Sequence, residues 1–259
     1  MRTITVDRIH EQDRQEELPD YSEDFPCIIS RAEIDKYPRH YVPWHWHQPI
    51  ELFYMESGEL EYHTPGGVTC FPTGTGGIIN SGVIHMTQPH AEKGETVQFL
   101  HIFDPFFLAD SPRGRIARLY VLPYLNSNVE ILSFSPSIPE QRELLSMLRD
   151  SFQIDENQMG FEITLRAALS AIWLKILDAM PESCRITIDK NVNECLKRML
   201  NELYTHALFG DDQDSGCGSS GLNQRKRMLP SLLEPHSVFT KRLYHRLPAR
   251  KSMRTAAGQ

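Results

Sequence analysis

No apolar run in the 259 residues approaches the ~18 that a membrane helix needs. The amino-terminal stretch MRTITVDRIHEQDRQEELPD is polar and acidic, so a secretory signal is not expected there. Cysteine is scarce: Cys27, Cys70, Cys184, Cys195 and Cys217 are odd in number and nowhere spaced as CxxC. That pattern fits no disulfide framework and points to a reduced cytoplasm. What is present, 40% hydrophobic and 24% charged residues, is the composition of a soluble globular chain of one large or two modest domains. It excludes collagen-like and purely coiled-coil architectures.

The net charge of −7 is unevenly divided. From Gly221 to Gln259 there are nine basic residues and one acidic, Glu234, a balance of +8, so residues 1–220 carry −15. An acidic body with a basic tail fits a sensor joined to a nucleic-acid-binding end, or a plain solvated tail.

Residues 40–104 read as short strands separated by turn chemistry. Ile50–Met55, Leu60–Tyr62, Val68–Phe71, Ile78-Ile79 and Val97–Phe103 are apolar. Glu56-Ser57-Gly58-Glu59, Thr64-Pro65-Gly66-Gly67 and Asn80-Ser81-Gly82 are turns, the second suited to type II. Strands at this spacing predict an antiparallel barrel or sandwich. From Ser137 the period becomes helical. Ser137-Ile138-Pro139-Glu140 is a capping-box sequence, and Leu144, Leu148 and Phe152 follow at every fourth residue. A second helix carries the rows Phe161, Leu165, Leu169, Trp173 and Ala168, Ile172, Ile176; a third is expected over about Asn191–His206. The apolar faces of the first two predict pairing with each other and with a second copy of the chain, a homodimer.

His45, His47 and Glu51 share parity, so on one strand they face the same side. Two imidazoles and a carboxylate pointing into a barrel could hold a divalent metal, with His85 as a fourth ligand; the alternative is a polar pocket lining, and no stoichiometric metal is expected. Pro49 should bend the strand between them. Trp44, Trp46 and Tyr54 could stack on a sugar or pack in the core. His40, His63 and His101 read as ordinary polar positions.

The spacing His45-Trp46-His47, three residues, Glu51, six residues, Gly58 resembles the first cupin motif, and Asn80, Gly82 and His85 resemble the second, with Asn80 in place of proline. Trp44-His45-Trp46-His47-Gln48-Pro49-Ile50-Glu51-Leu52 followed by Ser57-Gly58-Glu59-Leu60 is similar to the sensor domain of AraC-type transcription regulators. The resemblance covers roughly residues 40–206. It implies an α+β chain: a polar arm over 1–24, a cupin-like antiparallel β-barrel sensing an effector over 25–135, linker and dimerisation helices over 136–181, and the first helix of a helix-turn-helix domain over 186–207. It also implies DNA as a partner, no membrane, no catalysis and no required cofactor. Trp44, His45, Trp46, His47, Glu51 and His85 become the expected effector contacts, with a small molecule such as a sugar as effector. A metal-dependent cupin enzyme, an isomerase or oxygenase using the same four ligands, is the rival reading.

The family pattern fails after residue 207. Gly210–Gly221 has no periodicity, and Pro230, Pro235 and Pro248 break any helix in a tail that reads as disordered. Back-translated from Leu208 and read one base out of frame, residues 208–230 can spell a helix-turn-helix. The expectation is that 208–259 are an out-of-frame remnant of the DNA-binding domain and that specific operator binding is impaired.

Overall fold

The computed structural model describes residues 2–3, 9–10, 13–18, 21–37, 39–90, 94–109 and 111–181. The third helix and the basic tail expected over 186–259 lie outside them, and so does the frame question. In chain order the strands are β1 (Arg2–Thr3), β2 (Cys27–Glu33), β3 (Val42–His45), β4 (Ile50–Ser57), β5 (Glu59–Thr64), β6 (Gly67–Pro72), β7 (Gly76–Ile79), β8 (His85–Pro89), β9 (Val97–Phe103) and β10 (Ile131–Phe134). The helices are α1 (Leu122–Leu125), α2 (Pro139–Ser151) and α3 (Phe161–Ala179). One sheet has the order β1-β2-β9-β4-β7-β10 and the other β3-β8-β5-β6; every pairing is antiparallel except β1 with β2.

The turns act as punctuation, though not always as expected. Gly58 sits at φ +78°, and a Cβ there would stand 2.7 Å from the Glu95 carbonyl oxygen, so the β4–β5 turn needs glycine twice over. In the β5–β6 hairpin Thr64 pairs with Gly67 across Pro65-Gly66. The positive φ falls on Gly67 rather than Gly66, so the turn is not type II; the Gly66 N–H donates instead to Glu130 Oε2 at 2.6 Å. Gly77 allows the sheets to close: a Cβ there would lie 2.6 Å from the Phe53 ring and 2.7 Å from Phe71.

Two apolar cores result. Phe53, Leu60, Tyr62, Phe71, Ile79 and Ile102 fill the space between the sheets, with Phe53 and Tyr62 stacked at 4.5 Å. The second core lies between the larger sheet and the helices. Leu145 and Leu148 of α2 reach 3.1 and 3.2 Å from where a Gly76 Cβ would stand, so α2 lies directly on β7. Leu144, Leu148, Phe152, Leu165, Leu169, Ile172, Trp173 and Ile176 are all buried within this one chain. At roughly 1.5–3 kcal/mol for each fully buried large apolar side chain, this face is spent on holding the helices to the barrel. The apolar rows read from the sequence as a partner's docking face are therefore internal. Ile163 and Leu174 of α3 are the large apolar residues left outside, 77% and 54% exposed.

The capping box is not formed. Ile138 occupies the N-cap with no side-chain bond, Ser137 meets Ser135 Oγ, and the free amide of Ser135 donates to Gln141 Oε1 at 2.7 Å. His101, read as an ordinary polar position, is fully buried beneath the end of α2. No helix of the described residues is long and apolar enough to cross a membrane.

Candidate functional site

The segment from His45 to Glu51 is a corner, not a strand. β3 ends at His45, and Pro49 keeps residues 47–49 out of either ladder before the chain re-enters as β4 in the opposite sheet. His45 pairs directly with His85 at the start of β8, while Glu51 comes from the facing β4. The fold thus brings together His45, His47, Glu51 and His85, all buried, with one donor atom from each within 4.8 Å of all the others. Ring centroids lie 4.2 Å apart for His45 and His85 and 5.4 Å for His47 and His85.

Each imidazole is oriented by its own backbone. Nδ1 of His45, His47 and His85 meets the carbonyl oxygens of Pro43 (2.8 Å), Pro49 (2.8 Å) and Val83 (2.9 Å). A carbonyl only accepts, so Nδ1 carries the proton in each ring and the Nε2 lone pair of the neutral form points to the centre. Nε2 of His47 lies 3.4 Å from Glu51 Oε2. Nε2 of His85 stands 3.5 Å from the same oxygen, out of hydrogen-bond alignment, and has no other partner. The other oxygen of Glu51 accepts from the Tyr62 hydroxyl at 2.6 Å, and the Gln98 amide in turn donates to that hydroxyl.

The electrostatics follow from this packing. Burial alone would raise the Glu51 carboxyl, but the close approach of His47 and His85 holds it well below the usual carboxylate range. Burial drives His45 well below the imidazole range, helped by repulsion from His85 and His47. His47 is displaced upward: burial opposes its charge, but Glu51 and Glu16 outweigh it. Burial pushes the Tyr62 hydroxyl well up, reinforced by Glu51, so it stays a donor. Three oriented Nε2 atoms, one of them orphaned, around an ionised carboxylate form a donor set that fits a divalent metal.

Glu16, which carried no sequence signal, enters the same cavity. The amino-terminal segment lies along Trp46: the Glu16 N–H donates to the Trp46 carbonyl (2.9 Å), the Trp46 N–H to that of Arg14 (3.1 Å), and Trp46 Nε1 to that of Asp13 (2.9 Å). Arg14 Nε donates to the Trp44 carbonyl at 2.8 Å. Glu16 is thereby buried with Oε2 3.6 Å from His45 Nε2. Its carboxyl is pushed up to about 7, chiefly by burial, against the pull of His47.

The cavity has a volume of about 40 Å³ for water-sized occupants. Glu16, His45, Glu51, Tyr62, His85 and Gln98 are among its polar lining with Ser30 and Thr87, and aliphatic side chains such as Ile28 and Leu100 line much of the rest. Trp44 and Trp46 do not line it. The Trp44 carbonyl and Trp46 Nε1 hold the amino-terminal segment instead. Tyr54 is also absent from the lining and packs against the helix-side core.

Residues 29–171 match the family described as the AraC-like ligand binding domain. YdeC of Bacillus subtilis strain 168, described as an uncharacterized HTH-type transcriptional regulator, is 21% identical over 197 residues, covering 71% of this chain and 62% of its own length. The chain therefore spans less than two thirds of that relative. Among solved structures, ToxT from Vibrio cholerae superposes with a TM-score of 0.44 at 11% identity, over 77% of this chain and 74% of that one. A double-stranded β-helix protein from Klebsiella pneumoniae gives 0.27 at 20% identity, over 31% and 65%. The family match runs from β2 into α3, more than half of the sequence, and the chain belongs to the family of AraC-like ligand binding domains.

Proposed function

We propose that this chain is the sensing part of a ligand-responsive DNA-binding transcription regulator, and that its cavity senses around a divalent metal held by His45, His47, Glu51 and His85. The observation that supports the metal is the set of three Nε2 atoms, each fixed by an Nδ1 bond to a backbone carbonyl, converging on an ionised carboxylate. Bound there, the ion supplies a positive charge that attracts an anionic or hydroxylated ligand. Tyr62 and Gln98 keep Glu51 aimed, and Glu16 forms part of the cavity wall beside His45.

A volume of about 40 Å³ accepts an ion with a few waters. Organic ligands occupy pockets of roughly 300–1,000 Å³, so an organic effector has to displace Glu16 and its segment. Trp44, Trp46 and Tyr54, the aromatics expected to stack on a sugar, lie outside the lining. The same small volume counts against an isomerase or oxygenase, which needs room for substrate beside the metal.

Specific operator binding by these 259 residues is taken as impaired, on the sequence of 208–259 alone. The basic tail then gives weak, sequence-blind binding that fades with salt, and restoring the reading frame at Leu208 brings back a footprint on one site. The test of the buried centre is elemental analysis with thermal unfolding. One tightly held divalent ion should be lost in His47→Ala and kept in Cys70→Ser. At a hundredfold excess over Kd the ion should add about 2.7 kcal/mol of stability. No ion in Cys70→Ser, or an ion retained when His47→Ala is added to Cys70→Ser, overturns the metal reading.

A further inference from the structure

The outer face of the smaller sheet carries a second set of donors that the buried centre does not use. Leu60 and Tyr62 point into the barrel, so strand alternation sends Glu59, Glu61 and His63 outward. Cys70 of β6 stands directly across from Glu61 of β5. After β8 the chain folds back so that the His90 N–H donates to the Glu59 carbonyl at 2.9 Å. These pairings bring a carboxylate oxygen of Glu59, Sγ of Cys70 and a ring nitrogen of His90 within 4.8 Å of one another. The Cys70 thiol already donates to Glu59 Oε1 at 2.8 Å.

Glu61 lies outside that group of three but reaches its histidine. Its Oε1 is 2.8 Å from His90 Nδ1. Its Oε2 accepts from Gln88 Nε2 at 2.8 Å and lies 3.2 Å from His63 Nε2, so the carboxylate is oriented from behind. Among the described residues neither Glu59 nor Glu61 pairs with a lysine or arginine, which leaves their charge for a cation. A thiol, an imidazole and two carboxylates, on β5, β6 and the segment after β8, are the ligand types of a borderline divalent ion, softer than magnesium or calcium would select.

We propose that Glu59, Cys70 and His90, with Glu61, form a surface site for a divalent ion of the zinc class. Cys70 and His90 are exposed, so the ion exchanges directly with solvent, unlike one held in the buried centre. The site stands on geometry separate from that centre, and either can fail without the other.

Cobalt(II) titration of the full chain tests it. Sulfur coordination produces a thiolate-to-cobalt charge-transfer band, which His45, His47, Glu51 and His85 cannot give because none is a thiolate. The band should saturate at one equivalent beyond what the buried centre takes up, be displaced by zinc and vanish in Cys70→Ser. His90→Ala and Glu59→Gln should each weaken cobalt binding at least tenfold, and His47→Ala should leave the band intact. Should Cys70→Ser misfold by circular dichroism, the exposed His90→Ala variant carries the test. A wild type without the band overturns the site, as does a band that survives Cys70→Ser. Affinity unchanged in both His90→Ala and Glu59→Gln also overturns it, since a lone cysteine would then be responsible.

Discussion

Acidification should destabilise this domain through His101. The ring is fully buried on β9, stacked on Phe152 at 4.1 Å. Ser151 Oγ donates to the Leu148 carbonyl at 2.6 Å, so His101 Nε2–H donates to Ser151 Oγ at 2.7 Å and the bare Nδ1 has no partner. Burial takes its pKa from 6.5 down to about 3. Between those values the unfolded chain holds a proton that the folded chain refuses. Stability is therefore fully present above pH 6.5 and falls as the pH drops, by about 1.4 kcal/mol per unit, or about 2 kcal/mol at pH 5. His101→Phe keeps the stacked ring, removes the titration and leaves Ser151 its bond to Leu148. Denaturant unfolding of both proteins at pH 7.5, 6 and 5 gives the stability difference at each pH, in which Glu16, His45, His47 and Glu51 cancel. The wild type should lose about 2 kcal/mol relative to the variant between pH 7.5 and 5. A flat difference, or a wild type that gains on the variant in acid, refutes the buried neutral ring.

Glu16 has the opposite sign: its carboxyl is raised from 4.5 to about 7, so its contribution is present below 4.5 and lost as the pH climbs through 7. In metal-free protein at pH 8.5, trypsin should cut after Arg14 faster in the wild type than in Glu16→Gln; equal rates would mean that the carboxylate does not strain the segment. Leu148→Asp puts a charge on the face between α2 and the barrel and should unfold the chain. By contrast, Leu174→Asp on the outer side of α3 should turn a dimer into a monomer without lowering Tm, as read by light scattering and thermal unfolding. A monomeric wild type, or a dimer indifferent to Leu174→Asp, removes α3 as the interface.

Strands and helices were legible where composition and local geometry agree. Gly58 and the Pro65-Gly66 link mark hairpins because few other residues fit there, and the spacing of Leu144, Leu148 and Phe152 leaves no period but a helical one. What those rows would touch was not legible. An apolar stripe looks the same whether it meets a second chain or its own barrel, and Gly76, which lets α2 settle on β7, lies far from α2 in sequence. The capping-box sequence misled for a local reason: the first helical residue is Pro139, and Ser137 and Ser135 satisfy each other outside the helix.

The parity of His45, His47 and Glu51 pointed to convergence through a premise that does not hold. Parity orders side chains on one strand, but Pro49 ends that strand and the three residues meet across a corner between two sheets. The proline that seemed to misalign Glu51 is what carries it to the facing sheet, and the Pro49 carbonyl also anchors His47. Within the motif the partners divide: His45 enters the cavity, while the Trp44 carbonyl holds Arg14. Glu16 completes the inner face and was invisible for a different reason. It reaches the cavity largely through bonds to the backbone of Trp44, Trp46 and its own segment, and such pairing between distant segments leaves little trace in residue type. A closed site of this kind can be read from sequence as far as its local motif extends, while the residue that closes it depends on the assembled fold.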